Sequence, residues 1–303
     1  MMPDSKLANC IGKGDFIITA EYLPHAEAKF SLNGEVLKTL STEVHAVNVA
    51  DNPHGIIMSS LAGSVALSSS GAEPIYQLIT RDKNRIALGS DLLGAASLSI
   101  KNVLCLSGYH QTLTGCPESA NVYDIDSIQL IAAITRMNSE KVLPDGTKIE
   151  GDFAMLAGAV ANPNLKPIEL NIIRLAKKVE AGARFIQTQA VFDVQVFAEW
   201  LEAARTEGIT DKTAILAGIL PLNDVAEARH LCETFTDYQI PDQIIKRLEA
   251  AGDEKAQRKE GLAISLEIIK EIKKLTGLRG IHILSGGKEA ILPELLSASG
   301  LGK

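Results

Sequence analysis

The feature that most constrains the fold is a regular alternation of short apolar runs with longer stretches of helical periodicity. Eight runs rich in Ile, Val, Leu and Ala recur along the chain, and helical sequence follows each of them. The runs cover residues 16–22, 43–50, 74–80, 102–106, 153–160, 185–189, 214–220 and 280–284. Because these runs are apolar on both faces, they are typical of parallel strands buried between helices.

Eight such units predict an α/β fold in which the strands close into a (β/α)8 barrel, the TIM barrel. The alternative is a doubly wound open sheet. No Gly-x-Gly-x-x-Gly motif follows the first strand, which disfavours a dinucleotide-binding fold of that type. The chain shows no linker or low-complexity tract. The sequence therefore predicts a single domain over residues 1–303, with residues 1–14 as an N-terminal extension.

Charge and composition narrow the class of protein. The chain has 30 basic and 37 acidic residues, a net charge of −7, which argues against a general nucleic-acid binder. No apolar run approaches the roughly 18 residues that a membrane span needs, and residues 1–13 lack the pattern of a secretory signal. The four cysteines form no Cys-x-x-Cys pair, so we expect reduced thiols in a cytoplasmic protein.

In a barrel, functional groups are expected at the carboxyl ends of the strands. Glu21 ends the first predicted strand and lies between apolar neighbours. Partial desolvation raises the pKa of a carboxyl group, so Glu21 is a candidate general acid. The alternative is an ion-paired residue at the rim of the barrel.

Two amides lie on the sixth predicted strand. Gln187 and Gln189 are two residues apart and therefore point to the same side. Side chains that both donate and accept hydrogen bonds suit a heterocyclic ligand, and the alternative is a structural hydrogen bond inside the barrel. The loop Ser285-Gly286-Gly287-Lys288 would either cradle a phosphate or form an ordinary turn. No cluster of His, Cys, Asp or Glu has metal-ligand spacing, so no metal site is predicted.

Several segments, in order along residues 15–300, resemble the methylenetetrahydrofolate reductase family. Thr19-Ala20-Glu21-Tyr22-Leu23-Pro24 resembles that family's Phe-Glu-Phe-Phe-Pro-Pro motif on the first strand. The other similar segments are Lys178–Ala183, Thr188–Asp193, Ala217–Pro221, Ile240-Pro241 with Leu248-Glu249 and Gly252-Asp253, and Gly280–His282. Each motif is weak alone, but their shared order is specific.

The resemblance implies a flavin-containing (β/α)8 barrel that reduces 5,10-methylenetetrahydrofolate to 5-methyltetrahydrofolate. It assigns Glu21 as the general acid that delivers a proton to N10 of the folate. It assigns Gln189 as the amide that hydrogen-bonds the pterin, with Gln187 beside it. Val225 takes the place of a Phe that packs against substrate and nicotinamide in the family.

The resemblance also implies cofactor-binding positions, and several of them depart from the family pattern. Tyr123 and Lys178 match residues that contact the flavin. The family's Leu-Arg-Gly-Asp is Leu106-Ser107-Gly108-Tyr109 here, so Tyr109 replaces an Asp. The implied cofactor set, which includes replacements of a Thr and of two His residues, is Ala50, Gln77, Ser107, Gly108, Tyr109, Tyr123, Asn162 and Lys178.

These departures leave two interpretations open. One is a divergent reductase that holds FAD or FMN and takes electrons from NADH or NADPH, directly or through a partner subunit as in acetogen-type reductases. The other is a flavin-poor subunit that binds folate or acts as a scaffold in a larger complex. A pterin-binding methyltransferase barrel is a third alternative. An oligomer is expected. Aromatic residues are only 4% of the chain, and compared with the family pattern they are missing at Leu23, Ala190, Val191 and Val225, where aromatic faces would stack on flavin, pterin or nicotinamide.

Overall fold

Eight parallel strands close into a barrel in chain order, and β1 pairs with β8 to complete the ring. The structure is a computed structural model that describes residues 3–302. The strands are β1 (Ile17–Tyr22), β2 (Ala46–Val49), β3 (Pro74–Ile79), β4 (Asn102–Leu106), β5 (Leu156–Ala161), β6 (Phe185–Ala190), β7 (Ala214–Ile219) and β8 (Leu278–Ile283). The predicted single-domain (β/α)8 barrel is confirmed, and the open sheet is excluded.

Helices follow the strands and pack around the barrel, and in the described chain one further helix precedes β1. They are α1 (Lys6–Lys13), α2 (Gly34–Thr42), α3 (Ser60–Ser69), α4 (Arg85–Ser97), α5 (Ser127–Glu140), α6 (Ile168–Glu180), α7 (Val194–Thr206), α8 (Val225–Thr234), α9 (Asp242–Ala251), α10 (Glu254–Ile272) and α11 (Leu292–Ser299). Within the described part of the chain, no helix is long and apolar enough to cross a membrane.

The lower part of the barrel interior, toward the amino ends of the strands, is filled by apolar side chains. Residues that alternate along each strand point inward, and the lowest of them form one cluster. This cluster includes Ile17, Ala46, Ile75, Leu104, Leu156, Phe185, Ala214 and Leu216. Gly158 makes room for the ring of Phe185, because a Cβ at that position would overlap it.

The middle of the interior is polar and hydrogen-bonded. Gln187 donates to Thr19 Oγ1 at 3.1 Å and to Asn48 Oδ1 at 3.0 Å. Its Oε1 accepts from the Asn48 amide at 2.6 Å. Thr19 Oγ1 also lies 2.9 Å from Nδ1 of His282, whose pKa burial lowers to about 3. The layer thus consists of neutral side chains that satisfy one another.

Helix α1 closes the amino end of the barrel. Its residues Leu7 and Ala8 are fully buried and join the lower apolar cluster. The Glu73 carboxylate accepts from the backbone N–H groups of Lys6 and Leu7, the latter at 2.8 Å. Much of the predicted N-terminal extension is therefore packed into the barrel.

Candidate active site at the carboxyl end of the barrel

Glu21 is the uppermost inward-facing residue of β1, one step above the polar layer. Its side chain is partly buried, and Oε2 accepts from the Gly286 N–H at 3.3 Å. Burial raises the pKa of Glu21 to about 7, although the Gly286 hydrogen bond opposes this rise. Because the pKa lies near neutrality, this carboxyl group can hold and release a proton at physiological pH.

A second carboxylate, that of Glu289, lies beside Glu21. Glu289 is buried, and its Oε1 accepts from the Leu23 N–H at 2.9 Å and from Ser285 Oγ at 3.1 Å. Its charge adds to the rise in the pKa of Glu21. The Gly-Gly loop after β8, which the sequence left open as a phosphate cradle or a turn, therefore carries groups that contact Glu21.

Gln189 lies on β6, at the same open carboxyl end of the barrel as Glu21, which we call the mouth. It is part of a cluster of three residues. Its Nε2 donates to Oδ2 of Asp237 and lies 3.5 Å from the hydroxyl of Tyr109. Tyr109 donates to the same Asp237 oxygen at 2.7 Å. The cluster joins β6, the loop after β4 and the loop between α8 and α9.

Aromatic rings cover this cluster. Phe235 is buried, with its ring centre 5.1 Å from that of Tyr109 and 5.0 Å from that of His54. Tyr238 follows, and its ring centre lies 6.1 Å from Phe235. Burial raises the pKa of Tyr238, and the charges of Glu21 and Asp237 add to the rise. The segment 235–238 thus contacts Gln189 and lies near Glu21, and we call it the covering segment.

The loops after β2, β3 and β4 are tied together by Arg81. Its guanidinium pairs with Asp82 and donates to the backbone oxygens of Asn52 at 2.8 Å and Tyr109 at 3.1 Å. Tyr123 places its hydroxyl 3.4 Å from the backbone oxygens of Gly108 and Tyr109. Three of the predicted cofactor residues, Gly108, Tyr109 and Tyr123, are therefore adjacent.

Two further predicted cofactor residues lie near β5. Asn162 donates to the backbone oxygen of Asp237 at 3.2 Å and so anchors the covering segment. Lys178, on α6, donates to the Val160 oxygen at 2.6 Å. Burial lowers the pKa of Lys178 to about 8, so its ammonium group loses a proton more readily than that of a surface lysine.

The remaining predicted residues occupy different depths. Ala50 is buried just after β2, while Gln77 faces the interior of β3 and is partly exposed. Ser107 follows β4, and its hydroxyl donates to Ser127 at 3.3 Å. Val225 is the first residue of α8, where its backbone N–H donates to Gln257 at 3.0 Å. Gln187 belongs to the polar layer below the mouth, where its amide is bonded to Thr19 and Asn48.

Asp237, Phe235, Tyr238 and Glu289 were not among the predicted site residues. The first three lie between two helices, far in sequence from the strands that carry Glu21 and Gln189. The Ile240-Pro241 break indicated a loop there but not where it would pack. Among residues 3–302, no group of three His, Cys, Asp or Glu side chains could hold a metal ion.

Comparison with known proteins agrees with this architecture. A solved structure described as an uncharacterized protein from Clostridium thermocellum that binds two copies of 5-methyl-5,6,7,8-tetrahydrofolic acid has a TM-score of 0.67 to this chain. Its sequence identity is 13%, with 98% of this chain and 100% of that chain covered. A crystal structure of 2,3-dimethylmalate lyase has a TM-score of 0.51 at 12% identity, over 98% and 85% of the two chains. At these identities the likeness shows the fold alone.

Proteins that are similar in sequence indicate a family, whereas the solved structures above indicate only the fold. A probable methylenetetrahydrofolate reductase (NADPH) of Caenorhabditis elegans is 22% identical, over 81% of this chain and 35% of that protein. Methylenetetrahydrofolate reductase (NADH) 1 of Zea mays is 30% identical, over 64% and 33%. The 5,10-methylenetetrahydrofolate reductase of Escherichia coli K12 is 23% identical, over 60% and 55%. The matched region thus spans about a third to just over half of the length of these relatives.

A family model settles the relationship, because its match extends over nearly the whole barrel. The model described as methylenetetrahydrofolate reductase matches residues 6–300, from α1 to the end of α11. The chain belongs to the methylenetetrahydrofolate reductase family.

Proposed function

We propose that this protein reduces 5,10-methylenetetrahydrofolate to 5-methyltetrahydrofolate at the carboxyl end of the barrel. The observation that carries the proposal is a carboxyl group whose pKa is raised to about 7, placed at the barrel mouth by β1. Membership of the reductase family supports the reaction, and the folate bound by the Clostridium thermocellum structure supports the substrate class.

Glu21 is the proposed general acid. The bond between the bridging methylene carbon and N10 breaks, N10 takes the proton of Glu21, and an electrophilic iminium forms at N5. Hydride then reaches the methylene carbon and makes the methyl group. Burial and the nearby charge of Glu289 keep Glu21 protonated close to pH 7, so the proton is available where the substrate binds.

Gln189 is the proposed pterin-binding amide, because it faces the same mouth as Glu21 and is partly exposed there. We place Gln187 in the supporting layer, since both ends of its amide are bonded to Asn48 and Thr19. Val225 remains a proposed substrate contact at the start of α8.

The hydride must come from a redox cofactor, and we propose a flavin, FAD or FMN. Of the buried side-chain oxygens in the described chain that have no hydrogen-bond partner, three lie near predicted cofactor residues: Thr80 Oγ1, Gln111 Oε1 and Asn121 Oδ1. They lie in the segments after β3 and β4, beside Tyr109 and Tyr123. A flavin carries a ring N3–H and ribityl hydroxyl groups that can donate to such acceptors, so this part of the chain fits the cofactor.

The proposed cofactor set remains Ala50, Gln77, Ser107, Gly108, Tyr109, Tyr123, Asn162 and Lys178. When bound there, the flavin supplies the hydride, and the protein orients it and excludes competing reactions. NADH or NADPH is the proposed source of electrons, directly or through a partner subunit. A cytoplasmic location and an oligomeric state remain predictions.

The test is a visible spectrum of the purified protein with extraction of its cofactor, followed by an anaerobic assay with 5,10-methylenetetrahydrofolate. We expect flavin absorbance, before or after reconstitution, and formation of 5-methyltetrahydrofolate with NADH, NADPH or a candidate partner. A protein that binds folate but remains colourless after reconstitution would contradict the proposal. That result would instead favour the flavin-poor folate-binding subunit.

A further inference from the structure

The covering segment brings a carboxylate to the mouth of the barrel from outside the eight strands. Asp237 lies between α8 and α9, and its backbone oxygen is held by Asn162 at 3.2 Å. Phe235, two residues earlier, is buried against Tyr109 and His54. These contacts fix the position of the Asp237 side chain relative to β6 and to the loop after β4.

The hydrogen bonds of this carboxylate are unequally shared between its two oxygens. Oδ2 accepts both from the Tyr109 hydroxyl and from Nε2 of Gln189. Within residues 3–302, Oδ1 accepts no hydrogen bond, and the residue is partly exposed. One oxygen is thus anchored by the protein, and the other can accept from a ligand at the mouth.

The chemistry of the cluster complements one edge of a pterin. The 2-amino-4-oxopyrimidine part of a folate presents an amino group and an adjacent ring N–H, which are both donors, next to a carbonyl oxygen. The open Oδ1 of Asp237 can accept from one of these donors, and a hydrogen bond to a charged acceptor is of the stronger class. The Gln189 amide and the Tyr109 hydroxyl can each donate or accept beside it.

We propose that Asp237 binds the 2-amino-pyrimidine edge of the folate, together with Gln189 and Tyr109. The inference rests on the proposed function, since it assumes that the ligand is a folate. The carboxylate that recognises the pterin then comes from the covering segment rather than from a strand end. Specificity for the 2-amino group is therefore coupled to the position of residues 235–238.

The experiment compares two ligands, 5-methyltetrahydrofolate and its 2-desamino analogue, by calorimetric titration of the full-length protein. The variants are Asp237→Asn, which keeps the shape of the side chain, and Asp237→Ala, which removes it. Glu233→Gln is the matched control, because Glu233 is exposed on α8 and its replacement removes the same charge.

Wild-type protein and Glu233→Gln should bind 5-methyltetrahydrofolate at least about 10-fold more tightly than the analogue, since charge-assisted hydrogen bonds are the stronger class. In both Asp237 variants this ratio should fall to about 3-fold or less, mostly through loss of affinity for the natural ligand. A merely structural role would weaken both ligands equally and leave the ratio unchanged, which would overturn the assignment. If wild-type protein binds neither ligand, the proposed function itself fails, and this assignment falls with it.

Discussion

At the residue scale, Glu21 shows how a common side chain acquires an uncommon property. Its neighbours on the strand are apolar, and it is held in the interior beside the buried Glu289. Only backbone N–H groups of the loop after β8 favour its ionised form. Burial and like charge outweigh these hydrogen bonds, so the pKa of Glu21 rises to about 7.

This raised pKa makes a prediction about stability. The folded state binds the Glu21 proton more tightly than the unfolded state does, so its contribution to stability is present at low pH and is lost as the pH rises through about 7. Glu21→Gln should therefore raise the free energy of unfolding at pH 8 by on the order of 1–3 kcal/mol and change it much less at pH 5. Urea titrations at the two pH values measure this, and an equal effect at both would contradict it.

Gln187 and Gln189 show what depth in the barrel does to two identical side chains. Gln187→Leu should lower the free energy of unfolding by about 1–3 kcal/mol, because it removes the side-chain partner of Asn48 and one of the hydrogen bonds of Thr19 in a buried layer. Gln189→Leu, at the partly exposed mouth, should cost less stability and should weaken folate binding. Urea unfolding and ligand titration of both variants would check this contrast. The reverse order of stability would refute the assignment of Gln187 to the supporting layer.

The sequence predicted that both amides face the same side, because side chains alternate along a strand. It did not predict their different depths, which depend on the register of β6 against its neighbours and on Asn48 from β2. Glu21 was identifiable because a lone carboxylate between apolar residues at a strand end is unusual. Asp237 was not, since its role depends on how a loop between two helices packs.

At the scale of elements, all eight strands were predictable because parallel buried strands are apolar on both faces. Helix α1 was overlooked as an element, although local signals were present. Ser5 accepts from the Ala8 N–H as the N-cap, and Gly14 ends the helix with φ of 82°. Its apolar residues do recur at helical spacing, but the helix is only eight residues long, so the signal is short.

The closure of the barrel by α1 predicts a large effect of a single substitution. Leu7→Ala should lower the free energy of unfolding by about 2–5 kcal/mol, since Leu7 is fully buried in the lower apolar cluster. Asn9→Ala, on the exposed side of the same helix, is the matched control and should have little effect. Chemical unfolding of the two variants tests this. A loss below about 1 kcal/mol for Leu7→Ala would show that α1 does not stabilise the barrel.

At the scale of the whole molecule, the barrel separates stability from chemistry along its axis. The amino end is apolar and closed by α1, the middle is a satisfied neutral layer, and the carboxyl end carries Glu21, Gln189 and the covering segment. This division is usual in (β/α)8 barrels. Because a few side chains at one end of the barrel form the polar site, that site does not depend on the net charge of −7 or on the small share of aromatic residues.

The most direct test of the account is a comparison of the two half-reactions in wild-type protein and Glu21→Gln. Reduction of bound flavin should proceed at the same rate in both, because no proton from Glu21 is needed there. Transfer to 5,10-methylenetetrahydrofolate should fall by about 10²–10⁴-fold in the variant. In wild-type protein it should also slow above pH 7, as Glu21 loses its proton. An equal loss in both half-reactions, or none in folate reduction, would contradict the role of Glu21 as the proton donor.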